Sequence, residues 1–352
     1  MIQGYQLVNG EFQPCGVLRG LDILPQKGIL LYRTPFIDPH ADWDIFLNAC
    51  RVLKSQIPYP SYVYIDASWD PVRISDYTII NKRISVGDIF PDSKICVLSA
   101  KAEHWFSDIP GVLYYPQFLL TNYAEPNPLI DIRQGRFGCL NRRTAPHRSW
   151  LMHNLLKHKL IDSTMDIYSV NFTSLSTNSY WDLTDWIDNG KAINEEIRAW
   201  HPQLATHPDN FPNDYSVNHL AWRTGISIIT ETEPGDLTLI SEKTGKGFIS
   251  KSCFTVYMAD VGYQVLEELG FEPRFFKKHA EYTNVEPILK LFQKISNEAD
   301  AIEYRHQRLS QIEHNYRWFD YRGFDSVANM KFAEKPWFSK YRPKLQQALE
   351  RL

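Results

Sequence analysis

The chain has no surplus of charge: 38 lysines and arginines stand against 41 aspartates and glutamates, a formal net of −3 over 352 residues. With no global positive field, a general affinity for nucleic acid or an anionic membrane surface is excluded, and any phosphate recognition has to be local. The five cysteines, Cys15, Cys50, Cys96, Cys139 and Cys253, are odd in number and hold no CxxC pair. That excludes a disulfide framework or a cysteine zinc site and fits reduced, buried thiols. No segment approaches the roughly 18 apolar residues of a membrane span. The opening MIQGYQLVNGEFQPCG lacks the basic-then-apolar order of a secretory leader. A soluble, cytoplasmic protein is therefore expected, in which the sequon Asn171-Phe172-Thr173 has no meaning. Glycine, at 17 residues, is too scarce for repeats or low-complexity linkers. The eleven histidines form no HxxxH or HExxH spacing, so a zinc hydrolase has no support.

What is present is material for packed cores: 43% hydrophobic residues, 14% aromatic and 22% charged. At roughly 100–200 residues per domain, the length calls for two domains and favours an enzyme over a small binding module. In the first third, Ile29–Tyr32, Tyr62–Asp66, Lys94–Ser99 and Val112–Tyr115 read as short strands, and Asp42–Leu53 has a helical spacing of apolar residues. Such alternation predicts a parallel sheet covered by helices.

The pattern lapses between Thr121 and Arg136, a stretch rich in Pro, Asn and charge that reads as an inter-domain linker. It restarts with a strand over 136–140, a polar turn Asn141-Arg142-Arg143-Thr144, a helix over 145–160 and a strand over 166–170. This is a βαβ unit of the Rossmann kind. A Trp-, Asp- and Pro-rich insertion spans Ser174–Asn213, with helix and loop both possible. Further on, a helix is predicted over 216–224, strands over 226–230 and 254–257, and a helix over 263–269. The expected organisation is an N-terminal domain over 1–125, a C-terminal domain over 126–300 and a helical C-terminal tail over 301–352.

Two segments carry candidate chemistry. From Asp131 to Leu160 five arginines and two lysines face one aspartate, a net of +6 inside a chain of −3. Arg142, Arg143 and Arg148 fall in the turn and first helical turns after a strand. There, free backbone N–H groups and the helix dipole favour an anion, and guanidinium groups add bidentate donors suited to a diphosphate. A solvated helix face is the bland reading of the same charges. The second segment is Ser241-Glu242-Lys243-Thr244-Gly245-Lys246, which lacks the GxxxxGK[ST] order of a P-loop. Glu242 can accept from ribose hydroxyls and Lys243 can pair with phosphate. The bland alternative is a helix start capped by Ser241.

The run RFGCLNRRTAPHRSWLMHNLL, followed some ninety residues later by ISIITETEPGDLTLISEKTGKGFISKSCFTVYMADVGYQVLEELGF, resembles glycosyltransferases of the two-Rossmann-domain, or GT-B, class. It is most similar to the fucosyltransferase-like pattern, in which a strand ending in Glu precedes a Ser-Glu-Lys or Thr-Glu-Lys motif. Uncharacterised phage and viral proteins share the longer SEKT.K version. The likeness covers roughly residues 136–275. It implies an α/β fold of two facing Rossmann-like domains, with a nucleotide-sugar site in the second. Glu242 would then lie on the ribose, Lys243, Arg142 and Arg143 on the diphosphate, with Asn141, Arg148 and Lys246 nearby, and Glu231 at the strand-end position.

The implied reaction moves a sugar from a nucleotide-diphosphate sugar, the donor substrate, to an acceptor hydroxyl, with no metal and no further cofactor. The departing diphosphate gains charge that the basic groups stabilise. A general base is expected from the N-terminal domain, with Asp66 and Asp70 after a predicted strand as candidates and Glu103 and His104 behind them. A turn residue is the plainer reading of each, since acidic residues are common after strands. Asp42-Trp43-Asp44 has the letters of a metal-binding Asp-x-Asp pair but reads as an acidic first helical turn. The acceptor is a glycan or a hydroxymethylated base in DNA. For DNA, Lys331–Leu352, with six basic and two acidic residues and the aromatics Trp337, Phe338 and Tyr341, would supply phosphate and base contacts. A solvated amphipathic helix is the plainer reading of that stretch. The alternative function is a non-catalytic nucleotide- or glycan-binding protein of the same fold.

Overall fold

The computed structural model describes residues 2–15, 24, 28–32, 43–67, 76–120, 135–141, 146–162, 165–170, 220–231, 238–276, 285–320 and 332–352. The chain divides into two compact units, 1–121 with 322–352, and 122–321.

The first unit is built on a six-stranded mixed sheet. Its strands are β1 (Gln3–Val8), β2 (Glu11–Cys15), β3 (Gly28–Tyr32), β4 (Tyr62–Ala67), β5 (Lys94–Ser99) and β6 (Val112–Tyr114), in spatial order β2-β1-β3-β4-β5-β6. β1 and β2 form an antiparallel hairpin and the remaining neighbours are parallel. The hairpin turns at Asn9 and Gly10, with φ of 51° and 83°, both in the left-handed region that an Asn-Gly pair adopts most readily. Pro14 is tolerated because β2 is an edge strand. Helices α1 (Trp43–Gln56) and α2 (Asp76–Ile89) connect β3 to β4 and β4 to β5. Phe46, Cys50 and Leu53 of α1 and Val86 of α2 pack against Ile29, Leu31, Val63, Ile65, Ile95 and Val97. The alternate strand residues Leu30, Tyr64, Cys96 and Leu98 are buried as well, as a sheet covered on both faces requires.

The second unit holds an all-parallel sheet of four described strands, β7 (Phe137–Asn141), β8 (Ile167–Val170), β9 (Ile226–Thr230) and β10 (Cys253–Tyr257), in spatial order β10-β9-β7-β8. The helices are α4 (Pro146–Lys157), α5 (Glu242–Ile249), α6 (Asp260–Glu268), α7 (Glu286–Lys294), α8 (Glu298–His306) and α9 (Leu309–Phe319), after the single turn α3 (Gln117–Leu120) of the first unit. On one face Leu151, Met152 and Leu155 of α4 join Ile288 and Phe292 of α7 over Phe137, Cys139, Ile226 and Ile228. On the other, Phe248 of α5 stacks on Phe271 at 4.5 Å and meets Phe254 edge-on at 5.2 Å. Gly247 lets α5 approach the sheet closely, since a Cβ there would lie 2.9 Å from Ile229 and Phe254 side-chain atoms. Gly247 thus serves packing. A βαβ unit at residues 136–170 and the strands near 226 and 254 are as expected. Of the helix expected over 216–224, the described part is a 3-10 turn, Leu220–Arg223.

The C-terminal segment differs from the expected separate tail over 301–352. α8 and α9 belong to the second unit, whereas α10 (Phe338–Glu350) returns to the first. Trp337, Phe338 and Tyr341 are buried, at 1%, 5% and 2% exposure, so they are core residues with no ring face to offer a base. The Tyr341 hydroxyl donates to the Tyr114 carbonyl at 2.6 Å, covering the edge strand β6. No described helix is long and apolar enough to cross a membrane.

Part of the +6 segment goes into the core. Arg136 donates through Nε and Nη2 to Asp166 at 3.0 and 2.6 Å, and through its Nη groups to the carbonyls of Ile295 and Leu160. Its guanidinium packs over the Phe137 and Phe292 rings. Asp166→Ala strands that buried cation, and a loss of about 3–5 kcal/mol of unfolding free energy is expected in urea titrations. An unchanged midpoint would contradict this account of the pair.

Candidate functional site

In the second sheet the chain moves from β7 to β8 on one side and then returns to place β9 on the other. Strand order reverses between β7 and β9. Ligands of open α/β sheets bind outside the carboxyl ends of the strands at such a reversal. The two strands also part there. Among the described residues, β7 pairs with β9 over Phe137–Cys139, while β7 continues beside β8 to Asn141 and β9 beside β10 to Thr230. A crevice opens between the carboxyl ends of β7 and β9.

Separated strands leave main-chain carbonyls without ladder partners, and the first turn of α4 supplies donors. His147 Nε2 donates to the Glu231 carbonyl at 2.8 Å, and Arg148 Nη2 lies 3.4 Å from both the Thr230 and Glu231 carbonyls. Both side chains are buried, at 3% and 5% exposure. The His147 pKa is held well below the ordinary 6.5, first by burial and then by the Arg148 and Lys243 charges, with the Glu231 carbonyl opposing the shift.

Glu231 follows β9 and is fully buried. Its carboxylate accepts from the Ser241 backbone N–H at 3.1 Å, from the Ser241 hydroxyl and from the Thr244 hydroxyl at 2.5 Å. Ser241 in turn caps α5 by accepting from the Lys243 N–H. The Ser-Glu-Lys-Thr motif therefore divides its labour. Its outer residues clamp onto Glu231, while the inner pair, Glu242 and Lys243, stays accessible, with side chains 30% and 24% exposed. Lys243 Nζ rests 3.3 Å from Ser241 Oγ and 3.9 Å from Glu242 Oε1.

Of the expected donor-site residues, Arg148, Glu231, Glu242 and Lys243 gather around this reversal point. Asn141 ends β7 there. Arg148 and Glu231 act on neighbouring protein groups, while Glu242 and Lys243 are displayed. Lys246, one turn further along α5, is buried at 7% exposure. Arg142 and Arg143 lie outside the described residues, as does Asp70. In the first unit Asp66 sits near the carboxyl end of β4 at 3% exposure. Glu103 pairs with Lys101 at 2.7 Å, and the buried His104 contacts Ser99 Oγ through Nδ1 at 2.7 Å. Asp44 lies in the first turn of α1, as a dipole-favoured acid does. Among the described residues no group of three or more His, Cys, Asp or Glu is gathered where it could hold a metal ion.

The residue that sequence reasoning passed over is His147, a buried histidine whose ring reaches the Glu231 carbonyl. Its place one residue after the helix-opening Pro146 was the available clue. No protein-family model matches this chain, and no curated protein is similar to it.

Two outcomes follow. Because the native His147 binds its proton less readily than the unfolded chain does, its neutral form contributes stability above pH 6.5 that is lost as the pH falls. Relative to His147→Gln, which keeps a donor for the Glu231 carbonyl, the native protein should lose up to ~1.4 kcal/mol per pH unit below that value. Denaturation at paired pH values reads the difference, and parallel pH curves would refute it. Glu231→Gln should cost about 1–3 kcal/mol and speed amide exchange in the first turn of α5. Unchanged exchange there would show that the clamp is dispensable.

Proposed function

We propose that this protein is a glycosyltransferase that moves a sugar from a nucleotide-diphosphate sugar to an acceptor hydroxyl without a metal ion. The observation that carries the reading is the Glu231-clamped turn at the strand reversal of an all-parallel sheet, which displays a carboxylate and an ammonium side by side beside the first turn of α4. The chemistry matches the two ends of a nucleotide diphosphate. Glu242 accepts from ribose hydroxyls, and Lys243 pairs with phosphate oxygens. Arg142 and Arg143, next in sequence after β7, add positive charge for the diphosphate as it leaves. The N-termini of α4 and α5, the positive ends of their helix dipoles, favour an anionic ligand over a neutral one.

The acceptor in this reading is a glycan or a hydroxymethylated DNA base. The burial of Trp337, Phe338 and Tyr341 removes base stacking from the case for DNA and leaves charge alone. Salt-dependent retention on duplex DNA is then the observation that a DNA acceptor requires.

Thermal shift against UDP-, GDP-, ADP- and CMP-sugars tests the donor site, since a ligand that binds the native state raises apparent stability. One donor should raise the melting temperature, and Lys243→Ala should weaken its binding by ~10–100-fold, the worth of one charge-assisted hydrogen bond. Slow hydrolysis of that donor, lost in Lys243→Ala and in Glu242→Ala, is the expected sign of transfer chemistry. Stabilisation by no donor would sink the proposal. Binding without turnover would instead establish the non-catalytic alternative.

A further inference from the structure

The loop that follows α6 and the corner between α8 and α9 line an open surface depression of about 490 Å³ on elements other than those of the crevice. Such a volume lies within the ~300–1,000 Å³ of small-molecule sites. The described residues that line it are Arg274, Phe275, Phe276, Gln307, Arg308 and Gln311, and no carboxylate is among them.

The two arginines differ. Arg274 is neutralised by Asp260 at 2.8 Å and Glu267 at 2.5 Å. Arg308 has neutral partners: Nε donates to the Phe275 carbonyl at 2.7 Å and Nη1 to the Tyr304 carbonyl at 2.9 Å. Its guanidinium sits over the Tyr304 ring, 3.4 Å from the centroid, and that ring stacks on Phe276 at 5.2 Å and 9°. Among the described residues no carboxylate pairs with Arg308, and its Nη2 makes no bond. A guanidinium fixed on three sides has already lost its rotamer freedom, so an anion meeting its open edge forfeits little further entropy. Gln307 and Gln311 are each tied down through their amide nitrogen, to Glu303 at 3.0 Å and to the Glu272 carbonyl at 2.7 Å, which steadies the rim. Phe276 supplies a half-buried apolar wall.

We propose that this open depression binds a small aromatic carboxylate, with its carboxylate on the open edge of Arg308 and its ring against Phe276. The proposal is independent of the donor site. Titration of the full chain with benzoate, read by calorimetry and thermal shift, should show saturable binding at millimolar concentrations or below, with inorganic phosphate as the comparison anion. Gln307→Glu places a carboxylate at the exposed rim without touching the contacts that hold Arg308, and it should weaken benzoate at least ~10-fold. Phe276→Ala should do the same, and Lys243→Ala should leave benzoate binding intact. Absence of saturable benzoate binding, equal binding of phosphate, indifference to Gln307→Glu, or loss in Lys243→Ala would each overturn the assignment.

Discussion

The buried carboxylate of Glu231 is the joint on which the second unit's site depends. A fully buried carboxylate is costly unless donors surround it, and here Ser241 and Thr244 approach from the start of a helix ten residues away. The same residue's main-chain carbonyl is served by His147 from a different helix. One residue thus ties the end of β9 to the first turns of both α4 and α5. Loosening either half would leave a buried acceptor without its donor, so the geometry of the crevice and the stability of the unit cannot vary independently.

That joint also explains how a strongly basic segment comes to be divided among unlike tasks. Arg136 is consumed by Asp166 and two carbonyls at the opposite end of β7, and Arg148 by the carbonyls of Thr230, which ends β9, and Glu231, which follows it. Lys157 and Lys159 lie on the surface. A local net charge of +6 reads as a single electrostatic feature in sequence, yet the fold uses it residue by residue, as core pair, strand-end donor and solvated helix end. Net charge bounds which partners are possible and says little about which side chain meets them.

The βαβ pattern after residue 136, the strand over 226–230 and the Ser241 cap were legible because each is a local signal: an apolar run, a polar turn, a capping residue before a helical spacing. The hairpin at Asn9-Gly10 was equally legible and went unread. What lay beyond reach was long-range. Nothing in the spacing of Glu231 and Thr244 says that a carboxylate and a hydroxyl thirteen residues apart will share a proton-donor network. Nor does the composition of Lys331–Leu352 reveal that its aromatics are core. A basic, aromatic-rich helix has one pattern whether its rings face solvent or a sheet edge, and the decision rests with Tyr114, more than two hundred residues earlier.

The two sheets make the final point about where a site can form. In the first, beyond the β1–β2 hairpin, β4, β5 and β6 are each laid beside their predecessor, so those crossovers progress one way and the carboxyl ends of these neighbours stay in register. In the second, the return from β8 to β9 forces neighbouring connections to leave in opposite directions, and the strands part where they do. A crevice at β7 and β9 is therefore a consequence of strand order before it is a consequence of any motif. Glu242 and Lys243 are displayed beside an opening that topology makes in the sheet.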